Sequence, residues 1–167
     1  MNEREYFVAL TAIIRDVKVG KESKIWNFCN IYECEIGSNT QIGSYSEIKA
    51  GAVIGDNCRF QSYIFIPEGT KIGNNVFLGP RVTFLNDMHP TAKKAIDKKW
   101  DLEACVIEDN VSIGGCVTIN PGVRVGRGAR IGSGAVVIKD VPENAVMVGN
   151  PARQIGLTTD ARYKDWI

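Results

Sequence analysis

Histidine is almost missing from this sequence: among 167 residues there is one, His89. A zinc site built from three imidazoles therefore cannot be assembled at each interface, and any Ser-His or Cys-His pairing must use that single residue. Net charge is also scarce, because 20 Lys and Arg oppose 19 Asp and Glu for a formal +1. Such a balance carries no basic footprint for nucleic acid and no polybasic patch for a membrane surface. Long hydrophobic runs are lacking as well. The longest apolar stretch, residues 6–14, is far short of the ~20 residues a spanning helix needs, and no basic leader or cleavage site flanks it. The expectation is a soluble, cytoplasmic, single-domain protein.

Close cysteine pairs are absent too. Cys29, Cys34, Cys58, Cys105 and Cys116 are odd in number and show no metal-binding spacing. They read as reduced and mostly structural, and no metal is expected.

What is present is a period of six. Ile36, Ile42, Ile48, Ile54, Phe60, Ile66, Ile72, Leu78 and Phe84 follow one another at that spacing. After a break it returns at Ile107, Ile113, Ile119, Val125, Ile131 and Val137. Glycine often comes next (Gly37, Gly43, Gly55, Gly73, Gly79, Gly114, Gly126, Gly132), and a small or β-branched residue stands four places after the large one, as at Thr40, Ser46, Ala52 and Ala135. Six residues match neither a helix nor a plain alternating strand, but they match a short strand plus a turn, repeated. The chain should coil into a solenoid whose equivalent residues form interior ladders about 4.8 Å apart, with corner glycines supplying φ > 0.

Ile13, Val19, Ile25 and Ile31 already keep the spacing, and the step from Ile31 to Ile36 is five. The solenoid is expected to start close to Thr11, after a lead-in over residues 1–10; a helix over residues 6–17 is the alternative there. Residues 85–106 cannot fit inside a coil wall and are expected to form an extruded loop, a place where binding and chemistry concentrate. Pro142 and Pro151 should end the coil, so that the β-helix runs over residues 11–141 and residues 142–167 form a cap and tail with a short outer helix.

The repeat resembles the hexapeptide motif of left-handed parallel β-helix acyltransferases, which place three hexads in each coil and assemble as trimers. Residues 136–153, VVIKDVPENAVMVGNPAR, are similar to the terminal signature of acetyl-CoA-dependent members. Residues 79–90, GPRVTFLNDMHP, resemble the acceptor-facing segment, particularly in the branch that N-acetylates nucleotide-linked 3-amino sugars, and residues 24–28, KIWNF, fit that branch. The resemblance implies an all-β, left-handed parallel β-helix with one extruded loop and a short C-terminal cap. Handedness rests on the resemblance alone, since the general rule for parallel crossovers is right-handed.

The same resemblance implies site residues. Asn86 would orient the acceptor amine through its side-chain oxygen, and His89 would contact the acceptor or act as general base, although in some relatives the proton leaves without a protein base. Phe84 belongs to the same acceptor segment. Gly115 and Ser133, one above the other in successive coils, would offer main-chain N–H groups to the pantetheine arm, and Lys139 and Arg153 would lie near CoA phosphates. Relatives often carry an arginine directly after the proline of this segment. Here that residue is Thr91, which weakens a uronate acceptor; Lys93 or Lys94 is the available substitute.

The implied activity is acetyl-CoA-dependent N-acetylation of a nucleotide-linked amino sugar by a homotrimer, serving surface glycan synthesis. A dTDP-linked 3-amino-3,6-dideoxyhexose is preferred and a UDP-linked sugar comes second. The competing readings are an O-acetyltransferase acting on a free sugar or small molecule and a non-catalytic trimeric scaffold. A lyase of the γ-carbonic anhydrase type is excluded by the single histidine.

Overall fold

The computed structural model describes residues 5–166, with side chains as far as Tyr163. The first part of the expected lead-in, and the side chains of Lys164, Asp165 and Trp166 in the tail, lie outside the described residues. The chain winds as a left-handed parallel β-helix whose strands stack in three sheets of nine, seven and six strands. On the first face the ladder runs Ile25, Ile42, Phe60, Leu78, Ile113 and Ile131. The third face carries Val19, Ile36, Ile54, Ile72, Ile107 and Val125. Every large residue from Ile25 inward is buried, each contributing about 1.5–3 kcal/mol by leaving water.

The small inward positions behave as the spacing predicts: Thr40, Ser46, Ala52, Thr70, Val76, Val111, Ala129 and Ala135 are all buried. Where such a residue is polar it is satisfied locally. Thr40 Oγ1 donates to the Gly55 carbonyl at 2.9 Å and accepts from the Cys58 N–H at 3.0 Å, so it costs the core little.

The hexad glycines turn out to have another purpose than left-handed backbone. Positive φ falls two residues later, at Asn39, Asn57, Asn75 and Asn110 on one corner and at Phe28, Tyr45, Tyr63 and Arg81 on another. Asparagine tolerates that region through local hydrogen bonds. The glycines themselves are needed because the next coil lies directly on them: a Cβ at Gly43 would stand 2.4 Å from the Gln61 carbonyl carbon. At the aromatic corner Phe28, Tyr45 and Tyr63 stack at 5.0 and 4.9 Å, and Arg81 caps Tyr63.

Both ends of the coil differ from expectation. Phe7–Val8 already pairs with Lys24–Ile25, so the ladder begins before Thr11, and the helical alternative over residues 6–17 is replaced by strands. Ile14, not Ile13, pairs with Ile31, while Ile13 is exposed. The shortened step therefore occurs twice at one corner, before Val19 and before Ile36. At the other end Val141 bridges to Val125, and Ala145–Val148 adds a parallel strand against Arg130 and Ile131. The coil thus continues to Val148 before Arg153–Leu157 folds back antiparallel. A 3-10 turn, Ala161–Trp166, ends the described chain.

Candidate functional site

The second face ends at a corner where the chain leaves the wall after Phe84 and returns at Val106–Ile107. The excursion is zipped at its base. The Glu103 N–H donates to the Asn86 carbonyl at 2.8 Å, and Asp87 forms an antiparallel bridge with Leu102. Between them lies a short helix, Ala92–Asp97, where a loop was expected. Thr91 caps it by accepting from the Lys94 N–H, and Lys98 closes it in left-handed conformation.

Under this loop is a cavity of about 270 Å³, walled by Lys49, Phe65, Glu68, Asn86, Asp87 and Trp100 among others. Its polar side is one connected chain. Lys49 Nζ lies 3.3 Å from Glu68 Oε1, and Asn86 Nδ2 donates to Glu68 Oε2 at 3.0 Å. Burial alone would raise the Glu68 carboxyl, but hydrogen bonds from its own N–H and from Asn86, with the Lys49 charge, outweigh it and hold the group below the usual carboxylate range. Lys49 is likewise held above its ordinary value: burial acts against the charge, and Glu68 overcomes it. Glu68 is thus an ionised acceptor at neutral pH and a weak base. With its Nδ2 committed to Glu68, Asn86 has Oδ1 left as an acceptor, the atom expected to meet the amine.

The other expected residues separate. Phe84 is fully buried in the interior ladder, paired beside Ile119, and so cannot touch a surface ligand; its role is packing. His89 is exposed at the loop surface and is absent from the cavity wall, and its main-chain N–H donates to Asp87 Oδ1 at 2.8 Å. Lys94 is held by Asp101 at 2.8 Å, which leaves Lys93 rather than Lys94 as a free loop cation. Lys49 and Glu68, which join Asn86 in the cavity wall, lie in no motif that marks them in the sequence.

Gly115 and Ser133 do stack, since Ser112 and Ile113 register with Arg130 and Ile131, and the Gly134 N–H donates to the Gly115 carbonyl at 2.9 Å. Among the described residues neither the Gly115 nor the Ser133 N–H donates to a protein acceptor, so two donors at one corner stand without a protein partner. Beside them a groove of about 380 Å³ is lined by Phe77, Gly114, Arg130, Gly132 and Ser133. Lys139 and Arg153 line a separate hollow of about 360 Å³ at the capped end, and among the described residues neither is in an ion pair. Unpaired N–H groups and two free cations suit a ligand with amide carbonyls and phosphates. The groove and the loop cavity share no lining residue and open on different faces.

No helix among the described residues is long and apolar enough to cross a membrane. The pattern for bacterial transferase hexapeptide (six repeats) matches residues 33–66 and 104–139. The Saccharomyces cerevisiae acetyltransferase-type protein YJL218W is 39% identical over 135 residues, which cover 77% of this chain and 61% of that protein. A galactoside O-acetyltransferase of Lactococcus lactis is 35% identical over 94 residues, 56% of this chain and 45% of that one. The solved structure of a galactoside acetyltransferase in complex with coenzyme A superposes with a TM-score of 0.65 at 32% identity, covering 77% of this chain and 66% of that one. The chain therefore spans about half to three fifths of the length of these curated relatives. Its repeats and stacked coils carry the hexapeptide-transferase pattern over residues 33–66 and 104–139, and the chain is similar in sequence and fold to these acetyltransferases.

Proposed function

We propose that this protein is an acetyl-CoA-dependent acetyltransferase, and that its acceptor is the amine of a nucleotide-linked amino sugar, best a dTDP-3-amino-3,6-dideoxyhexose, used in surface glycan synthesis. The observation that carries the reading is the Lys49–Glu68–Asn86 chain in the loop cavity, which offers Asn86 Oδ1 and an ionised Glu68 to an N–H donor. The free Gly115 and Ser133 N–H groups, with Lys139 and Arg153, fit the pantetheine amides and the phosphates of CoA. Acetyl-CoA supplies the acyl group as a thioester. Asn86 and Glu68 hold the neutral amine, the new C–N bond forms as the C–S bond breaks, and the amine proton leaves with the thiol or to His89. Because Glu68 is held ionised by its partners, it orients rather than deprotonates.

Groove and cavity lie on different faces of one chain, which supports a homotrimer in which one copy brings its cavity to the corner of the next. His89, exposed at the loop surface, would meet an acceptor across that boundary. A second reading, O-acetylation of a sugar hydroxyl with His89 as base, draws support from the relatives named as O-acetyltransferases. The test is thiol release from acetyl-CoA with paired amine and hydroxyl acceptors; His89→Ala separates the readings, since a loss of about 10²-fold or more in kcat/KM marks a base and a few-fold loss does not.

A further inference from the structure

Asp87 stands apart in the loop cavity. Its side chain is 7% exposed, and the two carboxylate oxygens have different surroundings. Oδ1 accepts from the His89 N–H at 2.8 Å and has Lys94 Nζ at 3.8 Å. Oδ2 is buried and has no hydrogen-bond partner among the described residues. The main chain at Asp87 is fixed by its bridge to Leu102, so the carboxylate is presented from a braced segment. It walls the same cavity as Asn86 and Glu68.

From this we infer that Asp87 Oδ2 is a specificity-determining contact that receives an N–H of the acceptor, so that the cavity selects an amine over a hydroxyl at the same carbon. The inference rests on the reading of the loop cavity as the acceptor site. A buried carboxylate oxygen without a donor has unused accepting capacity, and an acceptor N–H that enters the cavity Asp87 lines would fill it. The charges point the same way. Glu68 and Asp87 carry two negative charges into the cavity wall against one from Lys49, while Lys94 is shared with Asp101 outside. An acceptor amine, which arrives largely as ammonium and gives one proton to solvent before it attacks, gains from that excess on entry; a hydroxyl brings one donor and no charge. A site that recognises N–H groups this way discriminates strongly, because an analogue lacking them leaves buried acceptors unpaired.

The test uses the full chain, acetyl-CoA, and two acceptors that differ only at the reacting carbon: dTDP-3-amino-3,6-dideoxyglucose and dTDP-6-deoxyglucose. Asp87→Asn keeps an oxygen for the His89 N–H and places an NH₂ where Oδ2 was, so an acceptor becomes a donor. The expected result is amine turnover by the wild type and a KM for the amine raised about a hundredfold in Asp87→Asn, with melting temperature and acetyl-CoA affinity kept. Lys94→Met loosens the loop without touching Oδ2 and should leave that KM within a few-fold. An unchanged amine KM in Asp87→Asn overturns the inference, as does a wild type that acetylates only the hydroxyl sugar. If Asp87→Asn does not fold, the wild type decides: a kcat/KM for the amine sugar about a hundredfold above that for the hydroxyl sugar supports the inference, and comparable values for the two overturn it. No turnover of either sugar defeats the acceptor-site reading itself, and the inference with it.

Discussion

Gly79 joins the fold to the candidate site, and replacing it with alanine gives a worked prediction. A Cβ at Gly79 would lie 2.5 Å from Gly115 N, 2.7 Å from Gly114 C and 2.9 Å from Gly115 Cα, all main-chain atoms that cannot rotate aside. Relief to an ordinary contact of about 3.5 Å requires the two coils to part by about 1 Å. That movement stretches the bonds from Gly79 N–H to the Ile113 carbonyl and from Cys116 N–H to the Pro80 carbonyl, both now 2.8 Å. Overpacking and two weakened hydrogen bonds together cost about 3–4 kcal/mol. Gly51→Ala is the control. Gly51 has φ +72° and its Cβ would meet Gly69 N at an ordinary 3.7 Å, so only the left-handed backbone penalty of about 1 kcal/mol applies. Thermal unfolding at one protein concentration should show a drop of about 10 °C for Gly79→Ala and about 3 °C for Gly51→Ala. Equal losses, or a larger loss at Gly51, would refute the account of why glycine follows the large residue.

Further outcomes are expected. A thiol reagent should modify one cysteine per native chain rapidly, the exposed Cys116, and the remaining four only on unfolding; burial, helped by the Glu35 charge, pushes the Cys34 thiol up to about 12, and burial pushes Cys105 up to about 11. Because Cys116 adjoins Gly115, saturating CoA should slow its labelling about tenfold, and no protection would move CoA elsewhere. The Glu68 contacts hold its folded carboxyl below its ordinary value near 4.5, so their stabilisation is full above that value and declines as pH falls through the lower folded value. Stability of wild type minus Glu68→Gln, followed by urea titration from pH 7 to pH 3, should therefore shrink only at the acid end; a difference that grows on acidification would contradict the assignment. Sedimentation should give a trimer, and a monomer that still turns over would remove the need for a shared site.

The interior was readable because one residue in six must be large and the ladder repeats that demand at every coil. Phe84 shows the force of the period: its hexad place marks it as core, and only the resemblance of its segment pointed to substrate. The early register was harder, because Ile13 and Ile14 are both apolar and only pairing with Ile31 decides between them. Glu68 was legible in principle. It stands one coil below Asn86, by the same eighteen-residue stacking that aligned Gly115 with Ser133, yet no motif surrounds it. The free Asp87 oxygen and the separation of groove from cavity depend on side-chain placement across faces, which a period along the chain does not encode.

The most direct measurement is thiol release from acetyl-CoA with dTDP- and UDP-linked 3-amino and 4-amino sugars, their hydroxyl counterparts, and free glucosamine, serine and chloramphenicol. Turnover confined to a nucleotide-linked amine, and lost in Asn86→Ala, is what the account predicts. Turnover of hydroxyl acceptors alone, or no release together with no CoA binding, would contradict it.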